Sequence, residues 1–203
     1  MSSPRKRTRL TPGARRDQIL DHAAELVLTE GVHGVAMERV AAAAGVSKGL
    51  VYNYFADRTA LFAALLQREQ SDLNARGMAG AMEATDFADL IRRTTGLYLQ
   101  QTKERGALIA ALLADPVLER QMEEESRVDR EAAFRLFVRA TRRAYGLPLE
   151  TAIAAVDLLW AVTNQAGRQV GQGLLDPETA TEMCVRLFVG GLRELAGGTA
   201  PDA

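Results

Sequence analysis

Residues 37–55 constrain this chain more than any other stretch. Met37, Val40, Ala41 and Ala44 fall at i, i+3, i+4 and i+7, one face of a short helix. Gly45 can take the positive φ that ends such a helix, and Ser47 is a good N-cap for the next one. Over 48–54 that next helix sets Val51, Tyr54 and Phe55 toward one side and Lys48, Gly49, Tyr52 and Asn53 toward another. Two short helices joined by a tight turn containing glycine make a helix-turn-helix.

The remainder follows the same 3.6-residue period, and no strand pattern or internal repeat competes with it. Thr11 and Pro12 open a helix whose stripe Ile19, Ala23, Leu26 and Val27 ends near Gly31. Asp57 caps a fourth helix, with Leu61, Phe62, Leu65, Leu66 and Leu73 on its core face, which fades in a linker over 77–85. Further helices are expected over 86–103, 107–114, 115–145, 148–173 and 176–198, several of them opened by Asp or Pro and closed by Gly. The expected fold is therefore all-α, about nine helices, with an N-terminal three-helix helix-turn-helix domain and a C-terminal helical bundle. With 47% apolar residues in 203, the chain can bury a real core.

The residue types over 47–58 suit DNA. In a helix-turn-helix the start of the second helix meets base edges while flanking groups hold phosphates. Ser47 satisfies free backbone donors at that start, where the helix dipole favours an anion. Lys48 can reach a guanine acceptor or a phosphate, and Gly49 lets the backbone come close. Tyr52 and Tyr54 carry hydroxyls on rigid rings suited to phosphate oxygens, and Asn53 can read a base. Singly, each has an ordinary reading, the tyrosines as core aromatics and Lys48 as a solvated charge; together, at this spacing, they point to DNA. The charge distribution agrees. Residues 1–58 hold nine Lys and Arg against six Asp and Glu, whereas the rest of the chain is net acidic. Residues 1–10, with Arg5, Lys6, Arg7 and Arg9, form a basic arm that reads equally as a solvated tail or a DNA-contacting segment.

Ala41 to Phe55, AAAAGVSKGLVYNYF, followed by Arg58 and Leu61, resembles the DNA-binding signature of the TetR family of transcriptional regulators. Ile19, Leu20, Ala23, Ala24 and the Glu30–Gly31 ending match its first helix, and the resemblance covers about residues 15–66. It implies that Lys48, Tyr52 and Tyr54 contact DNA and that Arg58 replaces the usual phosphate-binding lysine. Two positions depart from the pattern. Val35 and Ala36 stand where a Thr is frequent at the start of the second helix, and Leu50 replaces another frequent Thr. The resemblance further implies a repressor that a small molecule releases from a near-palindromic operator. The implied division is an arm over 1–10, a DNA-binding domain over 11–58, a ligand-sensing and dimerisation domain over 59–198, and a tail over 199–203.

The C-terminal segments fit a dimer. The helix over 148–173 is apolar on two sides, through Ile153, Val156 and Trp160 and through Leu158, Leu159 and Val162, so both sides need cover. The last helix carries Ala180, Met183, Cys184, Leu187, Phe188, Gly191, Leu192 and Leu195 on one stripe. In TetR-like proteins the last two helices of each subunit build a four-helix interface. Leu158, Val162, Met183, Leu187, Phe188 and Gly191 are the expected contacts. The resemblance also implies an effector pocket in the body, for which the candidate polar groups are Arg92, Arg93, Tyr98, Asp157, Trp160, Asn164 and Arg168. Asp157 interrupts an apolar run and is expected either to be buried against an arginine or a cationic ligand, or to lie at a wet interface edge.

Other functions fit poorly. His22 and His33 are the only histidines, Cys184 is the lone cysteine on an apolar stripe, and no P-loop, dinucleotide fingerprint or metal-ligand spacing occurs. No enzyme activity, cofactor or metal site is expected. The remaining alternative is a helical protein-interaction module that only borrows the helix-turn-helix shape. Cysteine usage, the lack of a signal peptide and the lack of a membrane-length apolar run lead to the expectation of a soluble cytoplasmic protein without a membrane partner.

Overall fold

The computed structural model describes residues 10–197, so the arm up to Arg9 and the tail from Gly198 lie outside the described residues. Eight α-helices and one 3₁₀ turn follow each other: α1 (Pro12–Glu30), the turn Val32–Gly34, α2 (Met37–Ala43), α3 (Lys48–Tyr54), α4 (Arg58–Met82), α5 (Phe87–Leu113), α6 (Pro116–Tyr145), α7 (Leu149–Gly171) and α8 (Pro177–Leu195). There is no strand among the described residues.

Caps explain most of these boundaries. The side chains of Thr11, Ser47, Asp57, Asp86, Asp115 and Asp176 each accept a backbone N–H in the first turn of the helix that follows. Gly146, at φ +65°, closes α6 in the left-handed region.

The expected nine helices become eight because the fifth and sixth are one helix. Nothing between Lys103 and Ala107 stops a helix: there is no proline and no competing cap, and Gly106 costs only about 1 kcal/mol in a helix interior. Leu99, Leu108 and Leu112 lie along this one rod, each essentially without solvent exposure. α4 likewise continues through the expected linker to Met82. Gly77 and Gly80 do not break it; a Cβ on Gly80 would sit 3.7 Å from Arg93 Cβ, and one on Gly77 3.9 Å from Leu97 Cδ2, so these glycines let α4 and α5 run close.

The resulting α5 is the spine of the molecule. Its C-terminal Leu108 and Leu112 join Leu118 and the buried face of α4 in the same core as Ile19, Leu20, Val27, Val40 and Val51. Its middle, through Leu99, packs instead with Val170, Ala180 and Cys184 of α7 and α8. One helix thus touches both ends of the chain.

A buried ion-pair network crosses the same junction. Glu69 on α4 is 6% exposed and accepts from Arg105 Nε at 2.8 Å and Nη2 at 2.5 Å. The hydrogen bond that it donates to Glu69 holds the Arg105 guanidinium above its ordinary pKa. Arg68 lies 3.7 Å from Glu69 and 2.9 Å from Asp21 of α1, and Gln101 donates to the Glu69 carbonyl at 3.0 Å. Three helices are therefore tied together by charge as well as by packing.

Candidate nucleic-acid interface

The turn between α2 and α3 is fixed by its own backbone. Gly45, at φ +64°, allows Val46 N–H to reach the Ala41 carbonyl at 3.0 Å, and Gln18 Nε2 donates to the Ala44 carbonyl at 3.2 Å, pinning the turn to α1. The Ser47 hydroxyl accepts from Leu50 N–H at 3.2 Å. Val51 is wholly buried and Phe55 nearly so, which anchors one side of α3 in the core. Ser47, Lys48, Gly49, Tyr52 and Asn53 are all exposed, and nothing approaches within 4 Å of a Cβ placed on Gly49. An open face with one cation, two short polar groups and a phenol 41% exposed can meet base edges and phosphates without moving the core.

One neighbour of that face was not legible in the sequence. Glu38 on α2 accepts from Lys48 Nζ at 2.6 Å, which lowers the Glu38 carboxyl pKa and raises that of the Lys48 ammonium. The same ammonium lies 5.6 Å from the centre of the Tyr52 ring. Lys48 is thus held by a carboxylate of the preceding helix. Ala36 stands at the N-cap of α2 with no side-chain hydrogen bond, as expected from the missing Thr. Tyr54 is half-buried against Phe55, so only part of its ring is open to a partner. Arg58 is exposed at the start of α4, where Nη1 donates to the Val32 carbonyl at 3.3 Å and the guanidinium sits over Phe62.

In the body, three cavities follow one another along the inner stripe of α7. The first, about 350 Å³, is walled by Leu73, Ile91, Phe137 and Leu159 and reaches Tyr98, Trp160 and Asn164. The second, about 550 Å³, shares Trp160 and Asn164 and opens among Arg127, Arg130 and Arg135 of α6. A third, about 410 Å³, lies beyond Tyr98 beside Thr102, Gly167 and Arg168. Tyr98 donates to Asn164 Oδ1 at 3.4 Å, a weak partition between the first and the third.

Residues 19–65 match the family model described as bacterial regulatory proteins, tetR family. The transcriptional activator FasR of Mycolicibacterium smegmatis is 27% identical over 191 residues, covering 93% of this chain and 87% of that one. Residues 19–65 thus carry the DNA-binding segment of the TetR family. A TetR-like regulator from Rhodococcus sp. RHA1, at 21% identity, shares the fold with a TM-score of 0.73 over 93% of this chain and all of that one. The flavonoid-responsive regulator FrrA, at 25% identity, aligns with a TM-score of 0.65 over 94% of this chain and all of that one. These likenesses are to transcriptional regulators along nearly the whole chain.

The other expected site residues divide. Tyr98, Trp160 and Asn164 share the first cavity and Arg168 lines the third. Arg92 lines none of the three; it faces Glu182 of α8 at 3.7 Å. Arg93 is engaged by Asp89 and Glu83. Asp157 is exposed, not buried against an arginine, because its position on α7 falls with Ala154, Leu158 and Ala161 on the outer face. Sequence reasoning missed Arg127, Arg130 and Phe137, which come from α6 and approach α7 only in the folded chain.

That outer face is apolar. Leu158 on α7 is 66% exposed and Leu187 on α8 is 61% exposed, with Ile153, Val162, Met183 and Leu195 also open. Gly190 and Gly191 have nothing within 4 Å of an added Cβ. The two expected stripes are split by the fold: Val156, Leu159, Ala180, Cys184 and Leu192 turn inward, and Phe188 is half-buried between the two faces. Burial raises the Cys184 thiol pKa. No single helix among the described residues is long and apolar enough to cross a membrane, and none of their His, Cys, Asp and Glu side chains form a group able to hold a metal.

Proposed function

We propose that this protein acts as a homodimeric repressor that reads a near-palindromic operator through α3 and is released from it by a small molecule. One observation carries the reading: a single chain presents both an open polar row on α3 and an uncovered apolar face on α7 and α8. Contiguous exposed apolar surface of this kind marks an association site. Twofold pairing through α7 and α8 is self-complementary and would hold two α3 helices about 34–36 Å apart, one turn of DNA. In this reading Ser47, Lys48, Gly49, Tyr52, Asn53, Tyr54 and Arg58 form the DNA contact. Leu158, Val162, Met183, Leu187, Phe188 and Gly191 form the dimer contact, and Asp157 lies on that same outer face.

Release follows from linkage. An effector that prefers the conformation with misplaced α3 helices weakens operator binding by its differential affinity, about 5.5 kcal/mol for a complete switch. The cavities along α7 are the proposed effector site, and Leu73 carries a wall of the first on α4, the helix that begins at Arg58 beside α3. Response to a small molecule is also the property for which the relative FrrA is named. A second reading, activation, is favoured by the relative FasR, which is named as an activator. Selection of bound genomic fragments followed by in vitro transcription from the recovered promoter decides between the two. Lower transcript with added protein supports repression, higher transcript activation, and no selective fragment overturns the DNA-binding reading.

A further inference from the structure

The charge around the α6–α7 cavities is one-sided. Arg127, Arg130 and Arg135 line the outer cavity against a single carboxylate, Glu131, and that carboxylate pairs with Arg135 at 3.5 Å. Arg130 donates to the neutral Glu123 carbonyl at 3.0 Å, which leaves its charge uncompensated, and Arg127 takes part in no ion pair among the described residues. The inner cavity is less polar. No carboxylate lines it; Leu73, Ile91, Phe137, Leu159 and Trp160 give it an apolar side, Thr94, Thr95 and Thr163 add neutral hydroxyls, and Arg130 reaches it from the outer cavity, where the Trp160 ring lies 5.2 Å from that of Phe134. A chamber with an apolar side, bordered by Arg130 and opening past Trp160 toward Arg127, suits a molecule with an apolar body and an anionic end. A cationic ligand finds one carboxylate, Glu131, already paired with Arg135, and a neutral one leaves the arginines unused.

We propose that the effector is an amphipathic monoanion, an alkyl or aryl carboxylate whose apolar body fills the chamber beneath Trp160 and whose charge rests against Arg127 and Arg130. The proposal builds on the reading of these cavities as the effector site. A chamber of about 350 Å³ lies near the lower end of ordinary ligand sites, which suits a body of roughly ten carbons rather than a large polycyclic one. The amide nitrogen of Asn164, whose oxygen is engaged by Tyr98, adds a neutral donor at the junction.

Trp160 is the only tryptophan in the chain, so its emission reports on this site alone. The full-length protein is titrated with decanoate, decan-1-ol and decylammonium while Trp160 fluorescence is followed. Decanoate is expected to give a saturable change with affinity about tenfold above that of decanol, the gain of one charge-assisted contact. Decylammonium is expected to bind most weakly. Arg127→Gln with Arg130→Gln is expected to bring the ratio of decanoate to decanol affinity down to about one, and a helical circular dichroism spectrum and thermal transition like the parent's show that the variant is folded. Equal affinity for decanoate and decanol, a preference for decylammonium, or an undiminished decanoate preference in the double variant overturns the charge assignment and leaves the cavity as a site. No response to any of the three overturns the reading of the cavity as well.

Discussion

Replacing Arg105 by alanine probes the junction between the DNA-reading end and the body. Glu69 is almost wholly buried, and its carboxylate is held by the two-nitrogen fork of Arg105, with Arg68 more distant at 3.7 Å. Removing one partner of a fully buried pair costs about 3–5 kcal/mol, because the other charge is stranded. Arg105 is a third exposed and Arg68 remains to compensate, so Arg105→Ala is expected to cost about 2 kcal/mol. With a urea m-value of 1–3 kcal/mol/M, that lowers the unfolding midpoint by about 1 M at fixed protein concentration, with m unchanged. Converting both Glu69 and Arg105 to Met removes the stranded charge along with its partner, and the double variant is expected within about 1 kcal/mol of the parent. A midpoint shift below about 0.2 M for Arg105→Ala, or a double variant as unstable as the single one, refutes the assignment of the network as a buried, charge-dependent clamp.

Other consequences are simpler to read. Leu187→Glu puts a charge on the exposed apolar face of α8 and is expected to yield a monomer by light scattering with the helical circular dichroism retained; an unchanged dimer would remove that face from the interface. Glu38→Gln frees Lys48 and is expected to tighten DNA binding, by at most about fivefold since the pair is exposed; weaker binding would show that Glu38 positions Lys48 rather than competing for it. Gly167→Ala drives a methyl to 2.8 Å from the Tyr98 hydroxyl, so Tyr98 must leave Asn164; a cost of about 1–3 kcal/mol in thermal unfolding and an altered Trp160 emission are expected, and wild-type values for both would contradict the packing. Asp89 and Asp176 have lowered carboxyl pKa values, through hydrogen bonds from Thr85 and Arg93 and from Thr179 respectively. A lowered folded-state value means that their contribution is complete above the ordinary value of 3.8 and lost as pH falls through the lowered one; Asp176→Asn is therefore expected to flatten the acid limb of a stability profile, and an identical limb would argue against it.

Local signals in the sequence located the helix-turn-helix because its determinants are neighbours. Gly45, Ser47 and the alternation of Val51 with Tyr52 act within one or two turns, and α1 and α2 are bounded by equally local signals. The division of the fifth helix failed for the converse reason. Gly106 is a weak breaker, and what carries α5 through it is the burial of Leu99, Leu108 and Leu112 against different partners, which no window of sequence contains. Asp157 was left between two readings because the sequence around it is apolar on both α7 faces, and only the packing of Val156 and Leu159 inward decides which face stays open. The arginines of α6, the Lys48–Glu38 pair and the Glu69–Arg105 clamp join residues distant in the chain and left no periodic trace.

The central claim is that the open face of α3 reads DNA, and it is tested most directly by titrating Lys48→Ala, Tyr52→Phe and their double variant against a fragment selected from genomic DNA. Fluorescence anisotropy is recorded across a salt series. Each single change is expected to weaken binding, the double change to weaken it further while the dimer persists, and Lys48→Ala to lower the slope of log K against log salt by about one. A double variant that binds the selected fragment as tightly as the parent, with the same salt slope, would contradict that claim.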